Sequence, residues 1–167
     1  MDPVLLLVQT LHILAGAVWL GGSVFMNVVV LPALLALPAV EQRASARRVI
    51  FGPERMMIGA ALLAAVLGIV RGTAYGPIDS VDSLTTPYGI AWSAAIAITV
   101  MVFAVGGTVT SRTARALLDD DRYWTSGPRG DGSEARAPLV TRLRLAFRLE
   151  LIGILAVFTL MPLLRFL

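Results

Sequence analysis

From Pro3 to Leu37 the sequence is an almost unbroken run of apolar residues, about 35 residues long, or about 52 Å as a continuous helix. The hydrocarbon core of a bilayer is only about 30 Å thick, so such a helix has to tilt, bend or project beyond it. Pro32 and Pro38 are the places for a bend or a stop. The run also holds the only histidine of the chain, His12. Counted at helical spacing, Gln9, His12, Gly16, Trp19, Ser23, Met26 and Asn27 fall three or four residues apart and share one face. Polar groups gathered on one side of a membrane helix turn towards protein and away from lipid, which makes this stripe the expected functional surface. The opposite face carries Ala17, Gly21, Val24 and Val28. Ala17 and Gly21 form a small-xxx-small pair that admits a second helix closely, either within the chain or as the seam of a homodimer.

Composition agrees with a membrane and removes several chemistries. Of the 167 residues 57% are hydrophobic and 15% charged, whereas a soluble domain averages about 25% charged. Every basic residue is Arg, so a lysine base or a Schiff base is excluded. The absence of Cys excludes disulfides, thiolate metal sites, covalent haem attachment and cysteine nucleophiles. The net charge of +3 lies in loops, where it speaks for membrane topology and not for nucleic acid. Met-Asp-Pro ahead of the first run offers no positive n-region, so that run reads as a retained anchor helix.

The remaining segments follow in order. Residues 39 to 52 are polar and basic, with Arg43, Arg47 and Arg48, and suit a short amphipathic helix on the membrane surface ending at Gly52-Pro53. A second span is expected over 53–71, with Met57, Ala61, Ala64, Gly68 and Arg71 on one face. Residues 72 to 87 read as a loop, and Pro87 opens a third span that continues as helix to 118. Tyr88 and Trp92 at its start suit an interface belt, and Trp92, Thr99, Phe103, Gly106 and Thr110 share a face. Residues 119–137 form a polar, mobile cytoplasmic loop, and a fourth span covers 138–167. The expectation is therefore a single all-α domain over residues 1–167, an integral membrane four-helix bundle of left-handed packing. Arg43, Arg47, Arg48 and Arg55 lie in one basic segment, and eight more Arg lie between 112 and 148. Only Arg71 and Arg165 belong to the other side, so the positive-inside rule predicts an N-out/C-out chain in a bacterial cytoplasmic membrane.

Depth then brings side chains level. His12 lies about 12 Å below the outer surface and Met161 about 9 Å, with Arg71 at the rim above them. Nearer the cytoplasm, Met26 and Asn27 come level with Met56, Met57 and Arg55, and Arg55 could pair there with Glu150 in a structural role. Three roles for His12 stand open. A neutral imidazole hydrogen-bonding to a neighbouring helix is one. An axial ligand to haem b is another, with Met161 or a second subunit's His12 opposite and Arg71 beside a propionate. The third is a Cu(I) donor acting with Met161 and the secondary candidates Met26, Met56 and Met57, since thioether and imidazole are the soft ligands left without Cys. No nucleophilic triad can be assembled within the spans, no carboxylate pair lies at membrane depth, and no Gly-rich phosphate loop or HExxH pattern is present, which speaks against a hydrolase or a nucleotide enzyme.

The stretch LHILAGAVWLGGSVFMNVVVLPAL, residues 11 to 34, resembles the opening helix of the copper-resistance protein D (CopD-like) family of small bacterial membrane proteins. The resembling element is His12 followed by Trp19, Gly21 and Gly22, and Thr86-Pro87-Tyr88-Gly89 at the start of the third span is similar too. The resemblance covers the spans and implies a four-helix membrane unit associated with copper movement or tolerance. The chain is distantly similar to HemJ-like protoporphyrinogen oxidases, which bind haem through a first-span His. Those families carry a Lys in a later span, where this chain has Ser93 and Ala94, which sets it apart from a catalytic role of that kind. A non-catalytic subunit of a larger membrane complex, packing through Ala17 and Gly21, is the remaining expectation.

Overall fold

The computed structural model describes residues 2–124 and 132–163, with the side chains of 39, 40 and 50–53 left aside. Among these residues the chain is all helix and turn, without a strand. Four helices are long and apolar enough to cross a membrane: α1, Pro3–Leu35; α2, Ala39–Thr73; α3, Pro87–Asp119; and α4, Ser133–Leu163. Large apolar side chains stand exposed all along them, among them Val28 at 64% and Ile152 at 62%. Water would penalise such surface by about 25 cal/mol per Å², whereas acyl chains accept it. The protein is a multi-pass membrane protein of the four-helix-bundle class.

Two spans differ from the expected boundaries. The surface helix and the second span are one helix, because the chain runs through Gly52-Pro53 without a break. Proline removes one backbone hydrogen bond but leaves the rest of the ladder, a loss that long membrane helices tolerate. α4 begins at Ser133, inside the segment expected to be loop, and its start is acidic with Glu134, which suits the positive end of the helix dipole. Of the expected mobile loop, 125–131 lies outside the described residues, and Asp121–Tyr123 forms a tight turn. Residues 164–167 of the expected fourth span also lie outside them.

The helix runs on through Pro32 and ends ahead of Pro38. Pro32 still leaves a local mark. It has no N–H to donate, and the turn ahead of it, Met26–Val30, widens to π geometry with the Leu31 N–H reaching the Met26 carbonyl. A second widened turn, Gly106–Thr110, lies in α3, where the Ser111 N–H and hydroxyl both donate to the Gly106 carbonyl.

The helices divide into two compact units. One takes the described parts of Met1–Gly22, Met56–Met101 and Ile152–Leu167; the other takes Ser23–Arg55 and Val102–Leu151. In the second unit Leu34, Ala46 and Leu118 are buried together, with Val30, Leu37 and Trp124 against them. Its polar side is a clasp on the end of α3. The Leu118 carbonyl has no helical partner, and it accepts from Arg43 Nε at 2.9 Å and Arg47 Nη2 at 3.0 Å, while Trp124 Nε1 donates to Leu117 O at 2.6 Å. Arg43 also pairs with Asp121 and Arg47 with Asp119. Asp121 is 78% exposed, so water screens that ion pair to a fraction of a kcal/mol. The charged bonds to the orphan carbonyl contribute more, about 1.5 kcal/mol or above each.

Candidate functional site

The polar stripe of α1 faces inward along its length. Trp19, Ser23 and Met26 are buried, Gly16 with them, and Gln9, His12 and Asn27 are half-buried. Ala17, Gly21, Val24 and Val28 on the other face are exposed. In the first unit the partner of the stripe is the face of α2 formed by Met57, Ala61, Ala64, Gly68 and Arg71. Ala61 and Ala64 are buried; the Arg71 end of that face touches the stripe at Gln9, and the Met57 end touches Gly22, next to Ser23 in the chain. Met57 occupies the space over Gly22, where an added Cβ would come within 3.1 Å of its sulfur. Gly16 makes room in the same way for the Phe158 ring of α4.

His12 is held by two of these contacts. Its Nδ1 is 2.9 Å from the Ala64 carbonyl oxygen, and the Cε1 edge of the ring lies over Gly68, where a Cβ would stand 3.1 Å away. A carbonyl only accepts, so Nδ1 carries the hydrogen and donates it. In the neutral ring the lone pair then belongs to Nε2. A ring whose Nδ1–H is tied to a backbone carbonyl is fixed in tautomer and orientation, the usual arrangement behind a metal-ligating histidine. One turn towards the N-terminus, Gln9 accepts a hydrogen bond from Arg71 Nε. Among the described residues Arg71 has no acidic partner, so its charge is met by a neutral amide.

The methionine candidates are divided between the two units. Met161 is half-buried and belongs to the unit of His12, as does Met57. Met56, next in chain to Met57, is 64% exposed, so the helix turns it away from the inward face. Met26 is buried in the other unit, as is Ser23, and Asn27 there donates from its amide to the Ser23 carbonyl at 3.0 Å. No group of three or more His, Asp and Glu side chains suited to a metal exists among the described residues. His12 is the one imidazole of the chain, and it lies against the Ala64 carbonyl and Gly68.

Comparison with protein-family models, with curated proteins and with solved structures gives no match to this chain. Function is therefore argued from the residues.

Two placements depart from the sequence reading. Trp92 lies inward in the first unit, its indole occupying the space beside Gly72 and its Nε1 reaching the Gly68 carbonyl at 3.4 Å. Small residues at 68 and 72 signal a large neighbour, and Trp92 is the large residue at that level. Glu150 is the other departure: it accepts a hydrogen bond from Thr110, while Arg55 is exposed and makes no ion pair with it. The carboxylates that pair among the described residues are Asp119 and Asp121, taken by Arg47 and Arg43, and Asp120, taken by Arg122. An acidic run at 119–121 and a basic run at 43–48, assigned by charge to one side of the membrane, were the signal for that match.

Proposed function

We propose that the protein is a CopD-like protein of the bacterial cytoplasmic membrane that holds or moves Cu(I), with His12 Nε2 as the nitrogen donor. The observation that supports this reading is the bond from Nδ1 to the Ala64 carbonyl, which in the neutral ring leaves the lone pair on Nε2. An intramembrane ionisable residue is expensive to keep without a use, and this one is anchored in a fixed tautomer. Thiols are absent, and Met57 and Met161 in the same unit are soft donors matched to Cu(I). The test is a Cu(I) titration of the purified protein against a chromophoric chelator. One ion bound per chain supports the reading, and failure to compete with a weak chelator removes it.

A second reading, haem b with His12 as axial ligand, is favoured by Arg71. Its charge, met among the described residues by the Gln9 amide alone, suits a propionate or another anion at that end of the unit. Haem would supply one-electron chemistry there. A Soret band in protein expressed with ample haem, lost in His12→Ala, would select this reading; a featureless visible spectrum would leave copper.

The orientation is part of the proposal: both termini outside, with the basic segments around Arg43 to Arg55 and Arg112 to Arg148 in the cytoplasm. Because the chain has no cysteine, single introduced cysteines report on sidedness without background. Ser80→Cys, in an exposed turn, should react with an impermeant maleimide in intact cells, and Ala44→Cys only after permeabilisation. The opposite pattern would invert the topology. The exposed Ala17 and Gly21 remain the surface for a second copy or for a subunit of a larger complex. A stoichiometric partner on purification would favour the latter.

A further inference from the structure

α4 carries a carboxyl group at the level of its membrane-spanning stretch, between the exposed apolar residues Leu149 and Ile152. Glu150 is half-buried and turned onto α3. Thr110 Oγ1, itself buried, donates to Glu150 Oε1. All three carboxyl atoms, Cδ, Oε1 and Oε2, stand 3.7 Å from where a Cβ on Gly106 would be, so the group lies flat against that glycine. Gly106 and Thr110 are the first and last residues of the widened turn in α3. The extra residue of a π turn re-aims the side chains that follow it, and such turns recur at functional positions in helices. Here the turn sets a hydroxyl and a bare backbone patch on one carboxyl.

Among the described residues no positive charge pairs with this carboxyl. The α2 segment of the same unit has Arg43 and Arg47 committed to the end of α3, Arg48 and Arg55 exposed, Glu41 exposed and Glu54 half-buried. The α1 segment offers no titratable group. On α3, Arg112 and Arg115 are exposed and Asp119 is bound to Arg47; on α4 itself Arg142, Arg144 and Arg148 are exposed. Among the described residues none of these makes an ion pair with Glu150. A bare carboxylate in an apolar setting is costly, and the cheapest neutralising cation is a proton.

We propose that Glu150, with Thr110 and the widened turn at Gly106–Thr110, is an intramembrane proton-binding site that takes up and releases one proton. The Thr110 hydroxyl donates to Oε1 in either state, and the proton resides on Oε2. The proposal stands apart from the metal reading, because none of its residues belongs to the unit that holds His12.

Dicyclohexylcarbodiimide provides the test, since it enters apolar surroundings and reacts with protonated carboxyls. The acid proton passes to a reagent nitrogen, the oxygen adds to the central carbon, and rearrangement to the N-acylurea keeps the whole reagent mass on the residue. Full-length protein in detergent is labelled across a pH series and Glu150 is read by peptide mass spectrometry. Labelling should fall by about tenfold per pH unit above a single midpoint, the signature of one proton. It should be absent in Glu150→Gln, and in Thr110→Val it should persist with a displaced midpoint. A pH-independent rate, or protection by Na⁺ at constant pH, would overturn the proposal. Infrared difference spectra between wild type and Glu150→Gln read the same group without a reagent. A carboxylic-acid C=O band that titrates supports a proton site, and its absence at every pH overturns one.

Discussion

Replacing His12 by alanine is expected to abolish Cu(I) binding while taking only one interhelical hydrogen bond from the fold. The bond in question is Nδ1–H to the Ala64 carbonyl, and bonds of this kind in membrane bundles contribute about 0.6 to 1.7 kcal/mol. Metal binding is another matter, because the described residues offer no other imidazole and no group of carboxylates to replace it. The two consequences separate cleanly with His12→Asn. An asparagine amide nitrogen occupies nearly the position of Nδ1 and can donate to Ala64 O, but nothing in it replaces Nε2. His12→Ala should lower the thermal midpoint slightly and lose the metal; His12→Asn should recover the midpoint and still lose the metal. If both variants bind Cu(I) as tightly as wild type, the imidazole is a packing and hydrogen-bonding residue, and the copper reading is gone.

What could be read without coordinates followed from periodicity. Two faces, one on α1 and one on α2, were defined by counting threes and fours, and these faces meet in the first unit through His12 on Ala64 and Gly68 and Gln9 with Arg71. Small residues mark such contacts because they bring backbones close, and a carbonyl within reach of an imidazole is the result. Periodicity carries no information about what lies beyond one helix. Met56 and Met57 are chemically equal in a list of ligands, yet one is exposed and the other packed. Levelling residues by rise per residue placed Arg55 near Glu150, but azimuth decides whether they touch, and Thr110 holds the carboxyl instead. The continuous α2 was hidden by Gly52-Pro53, whose local preference for a break is outweighed by the helical ladder on both sides.

The sequence element Thr86-Pro87-Tyr88-Gly89 reads differently once its geometry is known, and it supports the prediction with the largest expected effect on stability. Thr86 is an N-cap: its backbone is extended, and its hydroxyl accepts from the Gly89 N–H at 3.1 Å. Pro87 follows at the first helical position, where its fixed φ and missing N–H do no harm. The same Thr86 hydroxyl donates to the Ser83 carbonyl at 2.6 Å, which folds the turn Asp82–Thr85 back onto the helix start. Gly89 lies under that fold. A Cβ there would collide with the Ser83 carbonyl oxygen and come within 2.6 Å of Leu84 Cα. Both obstacles are backbone, so no rotamer relieves them, and the cap and the turn must separate. Gly89→Ala should therefore destabilise by about 1 to 3 kcal/mol, the range for overpacking, with Gly89→Val at the upper end or beyond. Gly59→Ala is the matched control, since an added Cβ there meets nothing within 4 Å and a helical Gly→Ala change gains up to about 1 kcal/mol. Thermal unfolding of the three variants in one detergent checks the order. A Gly89→Ala protein that melts with wild type would mean that the turn does not pack on the start of α3 as described.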